Sequence, residues 1–251
     1  MKDVDRGILA VALGWAIAQG AQAELSMNVG VTSNSVWRGV TQTSDGPAIQ
    51  GGIDYRHESG PYAGTWAPNV EYYDEKGAEL DLYAGFAGAV ADLSWKAGVT
   101  AYTYPDSDRP DHVTANNFTE LGVSATYGWV TLGAALTLGG EGPSEATFEA
   151  GDDYLYASVA VPRPENFTLG VTGGYYRFDN RAAYDDAGAR LYGSRVAYHH
   201  ALVSLGKELG DWGSVSLNVS KAWTSRADEL ALGTEENMED VRVFVSWVKV
   251  F

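Results

Sequence analysis

The chain has 251 residues, no cysteine and a formal net charge of −16. The missing cysteine excludes disulfides, thiolate metal sites, cysteine nucleophiles and lipidated cysteines, and the acidic balance disfavours nucleic acid, whose phosphates call for a basic footprint. Apolar residues at 45% exclude wholesale disorder, while 30 Gly, 15 Tyr and 8 Trp beside 3 Met lean toward β-structure.

The first segment reads as a signal peptide over residues 1–23. Lys2 and Arg6 form a small positive start, diluted by Asp3 and Asp5; Gly7 to Ala18 is a short apolar run; Ala21-Gln22-Ala23 is a small-x-small cleavage site. The apolar run is too short to cross a bilayer as a helix, which needs about 20 residues. The domain expected after it is 24–251.

From Glu24 onward there is no long stretch of helical period. Instead, segments of about ten residues alternate apolar and polar side chains, and turns rich in Gly, Pro, Asp and Asn separate them. In chain order the strands are expected at 24–37, 47–58, 62–72, 79–90, 93–104, 116–127, 129–138, 153–161, 166–178, 195–206, 212–223 and 240–251. A period of two places alternate residues on opposite faces of a sheet. In 129–138, Val130, Leu132, Ala134, Leu136 and Leu138 share one face; in 212–223, Val215, Leu217 and Val219 oppose Ser214, Ser216, Asn218 and Ser220. The faces opposite the apolar ones are small and weakly polar, which suits the crowded inside of a barrel better than a solvated outer surface.

The connections alternate too. Long ones (38–46, 73–78, 105–115, 139–152, 179–194, 224–239) take turns with short ones (59–61, 91–92, Gly128, 162–165, 207–211). An up-and-down barrel in an outer membrane sorts its loops in this way. Acids gather in or at the edges of the long connections; the last holds Asp228, Glu229, Glu235, Glu236 and Glu239, with Asp240 at its edge. Trp37, Tyr55, Tyr62, Trp66, Tyr72, Tyr73, Trp95, Tyr127, Trp129, Tyr175, Trp212 and Trp223 lie near strand ends, as the aromatic girdles of a membrane barrel would. The expected fold is all-β: a transmembrane antiparallel up-and-down β-barrel of about 12 strands.

Asn28 to Tyr73 followed by Glu79 to Phe86 resembles the TorF-type porin family of proteobacteria, also described as the Gcw_chp proteins of unknown function. The residues that carry the resemblance are Trp37-Arg38-Gly39, Pro47-Ala48-Ile49-Gln50-Gly51-Gly52 and Tyr62-Ala63-Gly64-Thr65-Trp66. Pro61 and Pro68 depart from the pattern, where a large apolar residue and a serine are usual. The resemblance implies an outer-membrane barrel and a channel in a Gram-negative bacterium. It supplies no substrate and no catalytic residue.

If the apolar faces meet lipid, the inward polar candidates are Asn28, Thr32, Asn34, Arg38, Gln50, Asp54, Arg56, Glu79, Asp81, Tyr83, Lys96, Tyr102, Glu120 and Arg242. Charges of both signs facing each other across a channel would filter solutes by charge and dipole. The same residues could instead form a paired network that plugs the barrel. An enzyme, such as an outward-facing lipid hydrolase, would need a histidine beside a serine. There are four histidines (His57, His112, His199, His200), and no G-x-S-x-G signature accompanies them. The acid-rich stretches at 105–112 and 228–240 lack the spacing of a calcium loop, though rim acids could share divalent cations with lipopolysaccharide phosphates. Passive diffusion calls for no cofactor, and the expected partners are outer-membrane lipid, lipopolysaccharide, the barrel-assembly machinery and a small hydrophilic solute.

The last stretch, Val241 to Phe251, alternates Val241, Val243, Val245, Trp247, Lys249 and Phe251 with Arg242, Phe244, Ser246, Val248 and Val250. It must pair with the first strand to remove both sheet edges, and Trp247 and Phe251 resemble the signal by which barrels are handed to their assembly machinery. Deleting Phe251 is expected to lower the folded, membrane-inserted fraction, read by heat-modifiable gel mobility of membrane fractions; normal insertion would remove the assembly role.

Overall fold

A computed structural model describes residues 24–72, 75–105, 117–140, 148–179, 183–184, 190–191, 196–224 and 238–251. The proposed signal segment, Tyr73, His112 and most of the acid-rich stretches at 105–112 and 228–240 lie outside the described residues.

Twelve antiparallel strands form one closed sheet: β1 (Glu24–Thr32), β2 (Ala48–Arg56), β3 (Pro61–Tyr72), β4 (Leu80–Val90), β5 (Leu93–Thr103), β6 (Phe118–Tyr127), β7 (Val130–Gly140), β8 (Asp153–Arg163), β9 (Phe167–Phe178), β10 (Val196–Glu208), β11 (Ser214–Trp223) and β12 (Arg242–Val250). Each pairs with its sequence neighbours, and β12 returns to β1 in the register Asn28↔Val250 through Thr32↔Ser246. The seam runs one residue further: the Phe251 amide donates to the Met27 carbonyl at 2.8 Å, and the Met27 amide donates to the Phe251 carbonyl at 3.2 Å. Closure leaves no strand edge, the condition for a sheet to stand in lipid.

The faces follow the period of two. Leu25, Met27, Val29 and Val31 on β1, Leu132, Leu136 and Leu138 on β7, and Val243 and Val245 on β12 are exposed on the outside. Their strand neighbours Thr32, Thr137 and Ser246 are buried inside. An outer face of exposed aliphatic side chains around a closed barrel is the surface a bilayer covers. Tyr55, Trp95, Tyr127, Trp129, Tyr175, Trp212 and Trp223 are exposed on this outer surface near its two rims. Three residues expected in the girdles lie inside instead. Trp37 packs among Tyr102, Phe118 and Tyr176; Tyr62 is buried, and Trp66 stands in register between inward Gly52 and Asp81. Glycine explains the last two, because it lets a ring lie flat on the inner wall. A Cβ at Gly98 would sit 2.1 Å from the Tyr62 hydroxyl, and one at Gly64 would sit 2.5 Å from the Tyr83 ring.

Short turns (57–60, 91–92, 128–129, 164–166, 209–213) join the strands at one end and long connections at the other. The strand expected over 24–37 ends early. At Ser33 the chain leaves the wall and residues 33–47 turn into the barrel as a hairpin, with Val36–Trp37 paired to Val40–Thr41. Its two-residue loop is Arg38-Gly39, with φ of +48° and +88°. Two positive φ values are the mark of a type I′ turn, which usually takes Asn-Gly or Asp-Gly. An Arg in the left-handed region costs about 1 kcal/mol of backbone strain, so its side chain must gain more than that elsewhere.

Leu217→Arg, which would put a charge near the middle of β11 on the outer face, is expected to destabilise the membrane-inserted barrel by about 2–4 kcal/mol. Ser216→Ala on the inner face of the same strand should cost far less. Urea unfolding of both variants in vesicles, with equal losses, would contradict the assigned faces.

Candidate functional site

The site is the barrel interior, and it falls into two regions. In the half nearer the long connections the hairpin places Arg38 at the centre. Its guanidinium donates from Nη1 to Glu120 Oε1 at 2.8 Å and from Nη2 to Glu120 Oε2 at 2.6 Å, a bidentate pair. Three rings face the same group, with the guanidinium carbon 4.1 Å from Trp37, 4.2 Å from Tyr154 and 5.0 Å from Tyr176. Tyr102 donates to Glu120 Oε2 at 3.3 Å and Tyr176 to Oε1 at 3.4 Å. Burial alone would lower the pKa of Arg38; the adjacent Glu120 carboxylate outweighs it and holds the guanidinium above its ordinary value, so it stays charged.

Aromatic packing locks the hairpin in. Trp37 meets Tyr102, Phe118, Phe148 and Tyr176 edge-on at 6.0–6.3 Å. Phe148, from the connection between β7 and β8, stacks on Phe118 at 4.1 Å. Phe178, Tyr198 and Val196 continue the cluster. Gly39 is required here, since a Cβ would lie 2.5 Å from the His200 Cβ on β10. The base of the hairpin is tied down as well. Asn34 Nδ2 donates to Asp45 Oδ1 at 2.5 Å, Thr41 Oγ1 to Asn34 Oδ1 at 2.8 Å, and Arg242 Nε on β12 to Asp45 Oδ1 at 2.8 Å. Glu79 and Asp81 are buried on the β4 side of this region. Burial holds the Glu79 carboxyl, just ahead of β4, above the usual carboxylate range.

The half nearer the short turns is different. On the β2–β5 wall Tyr83 donates to Asp54 Oδ1 at 2.7 Å, Arg56 and Lys96 are the cations acting on that carboxylate, and the Lys96 ammonium lies 4.5 Å over the Tyr62 ring. The β6–β9 wall carries hydroxyls: Thr126 and Thr131 share a hydrogen bond of 2.8 Å, as do Ser158 and Thr172. These hydroxyl residues are partly solvent-accessible, whereas Ser216, Asn218, Ser220 and Ser246 on β11 and β12 are sealed from solvent. Asn28 and Gln50 face inward on β1 and β2 between the two regions; the Asn28 Oδ1 is buried with no hydrogen-bond partner.

Thus the inward candidates divide. Arg38, Tyr102 and Glu120 meet in one cluster with Glu79 and Asp81 near it; Asp54, Arg56, Tyr83 and Lys96 form a second; Arg242 joins neither and holds the hairpin through Asp45. Sequence reading missed the inward rings of Tyr154, Tyr156, Tyr176, Phe178 and Tyr198. The signal present was tyrosine in register with glycine across the sheet, as in Gly133↔Tyr156 and Tyr156↔Gly174. Among the described residues no group of three His, Asp or Glu could hold a metal ion. Trp247 faces outward and its Nε1 donates to the Trp212 carbonyl at 2.8 Å; Phe251 is exposed, with the Lys249 ammonium 5.0 Å from its ring.

Glu120→Gln should leave the buried Arg38 charge unpaired and destabilise the barrel by about 3–5 kcal/mol, whereas removing both charges in Arg38→Met/Glu120→Leu should recover part of that loss. Urea midpoints of the two proteins test this; a silent Glu120→Gln would show that the pair does not hold the hairpin.

No curated protein matches this sequence. Among solved structures, one reported as "Unveiling the Mechanism Behind the in-meso Crystallization of Membrane Proteins" is 9% identical with a TM-score of 0.51, over 92% of this chain and 83% of that chain. An outer membrane channel from Pseudomonas putida F1 is 13% identical with a TM-score of 0.49, over 93% and 97%. The outer membrane protein OpdK from Pseudomonas aeruginosa is 16% identical with a TM-score of 0.41, over 90% and 67%. At such identities the likeness is one of fold, and it rests on the first of the three. The sequence profile of Gcw_chp, described as bacterial protein of unknown function, matches residues 17–188, and the chain belongs to that family.

Proposed function

We propose that the protein is an outer-membrane channel of a Gram-negative bacterium for passive diffusion of small hydrophilic solutes or ions, with the hairpin at 33–47 as its constriction. The observation that carries this reading is the division of the interior. One half is a polar space lined by Ser and Thr hydroxyls opposite Asp54, Arg56 and Lys96; the other is narrowed by a hairpin that belongs to a connection and not to the wall. Barrels of about 8 strands are filled by side chains and those of 16–18 leave open channels. Twelve strands leave a bore that one inserted hairpin can regulate. In this reading the long connections face the outside and the short turns the periplasm. Fixed charges of both signs on one wall set ion preference, Trp247 and Phe251 serve assembly, and the rims meet phospholipid and lipopolysaccharide.

The tightness of the hairpin favours a second reading, a non-conducting barrel with a structural or surface-binding role. A lipid hydrolase finds less support. His57 does stand beside a serine, its Nδ1 2.7 Å from Ser59 Oγ, but this is a contact within one exposed short turn, where the same Nδ1 accepts from the Ser59 amide at 3.2 Å; His199 faces outward with Tyr175 and Trp223 as its cross-strand partners. Planar-bilayer recording separates the readings. The wild-type protein should give small stepwise conductances, and replacing 34–46 by a short Gly-Ser link should enlarge them several-fold. Silence from the folded, hairpin-deleted barrel would sink the channel reading.

A further inference from the structure

The groups that hold Arg38 are, apart from Trp37, not part of the hairpin. Glu120 comes from β6, Tyr154 from β8, Tyr176 from β9, and Tyr102 on β5 steadies the Glu120 carboxylate by donating to it. The wall therefore carries a carboxylate set for two parallel N–H donors and ring faces set beside them. That combination recognises a planar, delocalised cation: the fork matches a guanidinium or amidinium bidentately and the rings attract its charge. A spherical inorganic ion could take the carboxylate, but it has no pair of parallel N–H donors for the fork and no flat face to lay against the rings.

A further observation marks Arg38 as an occupant. It enters on the tip of a two-residue turn, at a backbone φ of +48° that an Arg adopts at a cost. The site is thus shaped for a cation, and the chain fills it with its own.

We propose that the wall site of Glu120, Tyr102, Tyr154 and Tyr176 recognises small organic cations that carry a guanidinium or amidinium group, with Arg38 standing in for the ligand until one displaces it. Recognition is independent of whether the barrel conducts. The corollary, that the displaced hairpin tip widens the passage, rests on the channel reading above.

The test uses the chain from Glu24 to Phe251 folded in detergent, with folding verified by heat-modifiable mobility, and agmatine as the probe. Calorimetric titration should show Arg38→Ala binding agmatine at least tenfold more tightly than the wild type, and Arg38→Ala/Glu120→Gln falling back to the wild-type level. Equal affinity in all three, or no binding to Arg38→Ala, overturns the proposal. Should Arg38→Ala fail to fold, the otherwise intact chain supplies the second arm. The natural sequence has no cysteine, so a fluorophore on Ser44→Cys reports the hairpin alone; millimolar agmatine should shift its emission while sodium at equal ionic strength does not, and an unmoved label overturns the proposal. Bilayer recording keeps the two readings apart. Agmatine binding by a barrel that never conducts retains the site and removes the channel. A conducting barrel that treats agmatine and sodium alike in every variant retains the channel and removes the site.

Discussion

Everything in this molecule depends on satisfying backbone hydrogen bonds where no water can help. A sheet in hydrocarbon cannot leave an edge, because each unsatisfied amide or carbonyl there costs several kcal/mol. The chain meets the constraint by bringing Asn28–Thr32 against Ser246–Val250. The remaining features follow from closure. The outer face must be apolar, the inner face must fit its own side chains into a narrow bore, and any segment with irregular backbone must lie inside or at a rim. The hairpin at 33–47 is such a segment, and its backbone is satisfied by its own turn and by contacts to β3 and β12. The Glu71 amide donates to the Gln42 carbonyl at 2.8 Å, and the Ser33 amide to the Val245 carbonyl at 2.9 Å.

The wall was legible because its physics is local. Alternation in Val130–Leu138 or Ser214–Val219 needs no knowledge of neighbours, and turn residues such as Gly128 at φ +59° mark where a strand must reverse. The contents of the bore were less legible because they depend on partners several strands away. Glu120 could be read as inward from its own strand, but its pairing with Arg38 spans 82 residues. Tyr62 looked like a girdle residue because it stands at a strand end; its inward position depends on Gly85 and Gly98 on two other strands making room for its ring. The first strand was read through to Trp37 because Val36 and Trp37 suit a strand, which they do form, but in the hairpin and not in the wall.

Inside the barrel, charge and aromatic area are used together. A lone buried guanidinium would be expensive, and a lone buried carboxylate equally so. Placed bidentately and enclosed by Trp37, Tyr154 and Tyr176, the pair holds the tip of the hairpin while presenting mostly ring faces to its surroundings. The hydroxyl-lined half has no comparable ring cage. A strong, specific lock near one mouth thus stands above a region held by hydroxyl–hydroxyl and Tyr–Asp contacts.

The anchors of the hairpin also carry a consequence for how the protein is made. The hairpin follows the first strand directly, yet its holdfasts arrive from β6, β8 and β9, and last of all from β12, where Arg242 grips Asp45. The full set of anchors therefore exists only in the closed wall: the tip is held by strands in the middle of the chain and the base by the strand that completes the seam with β1.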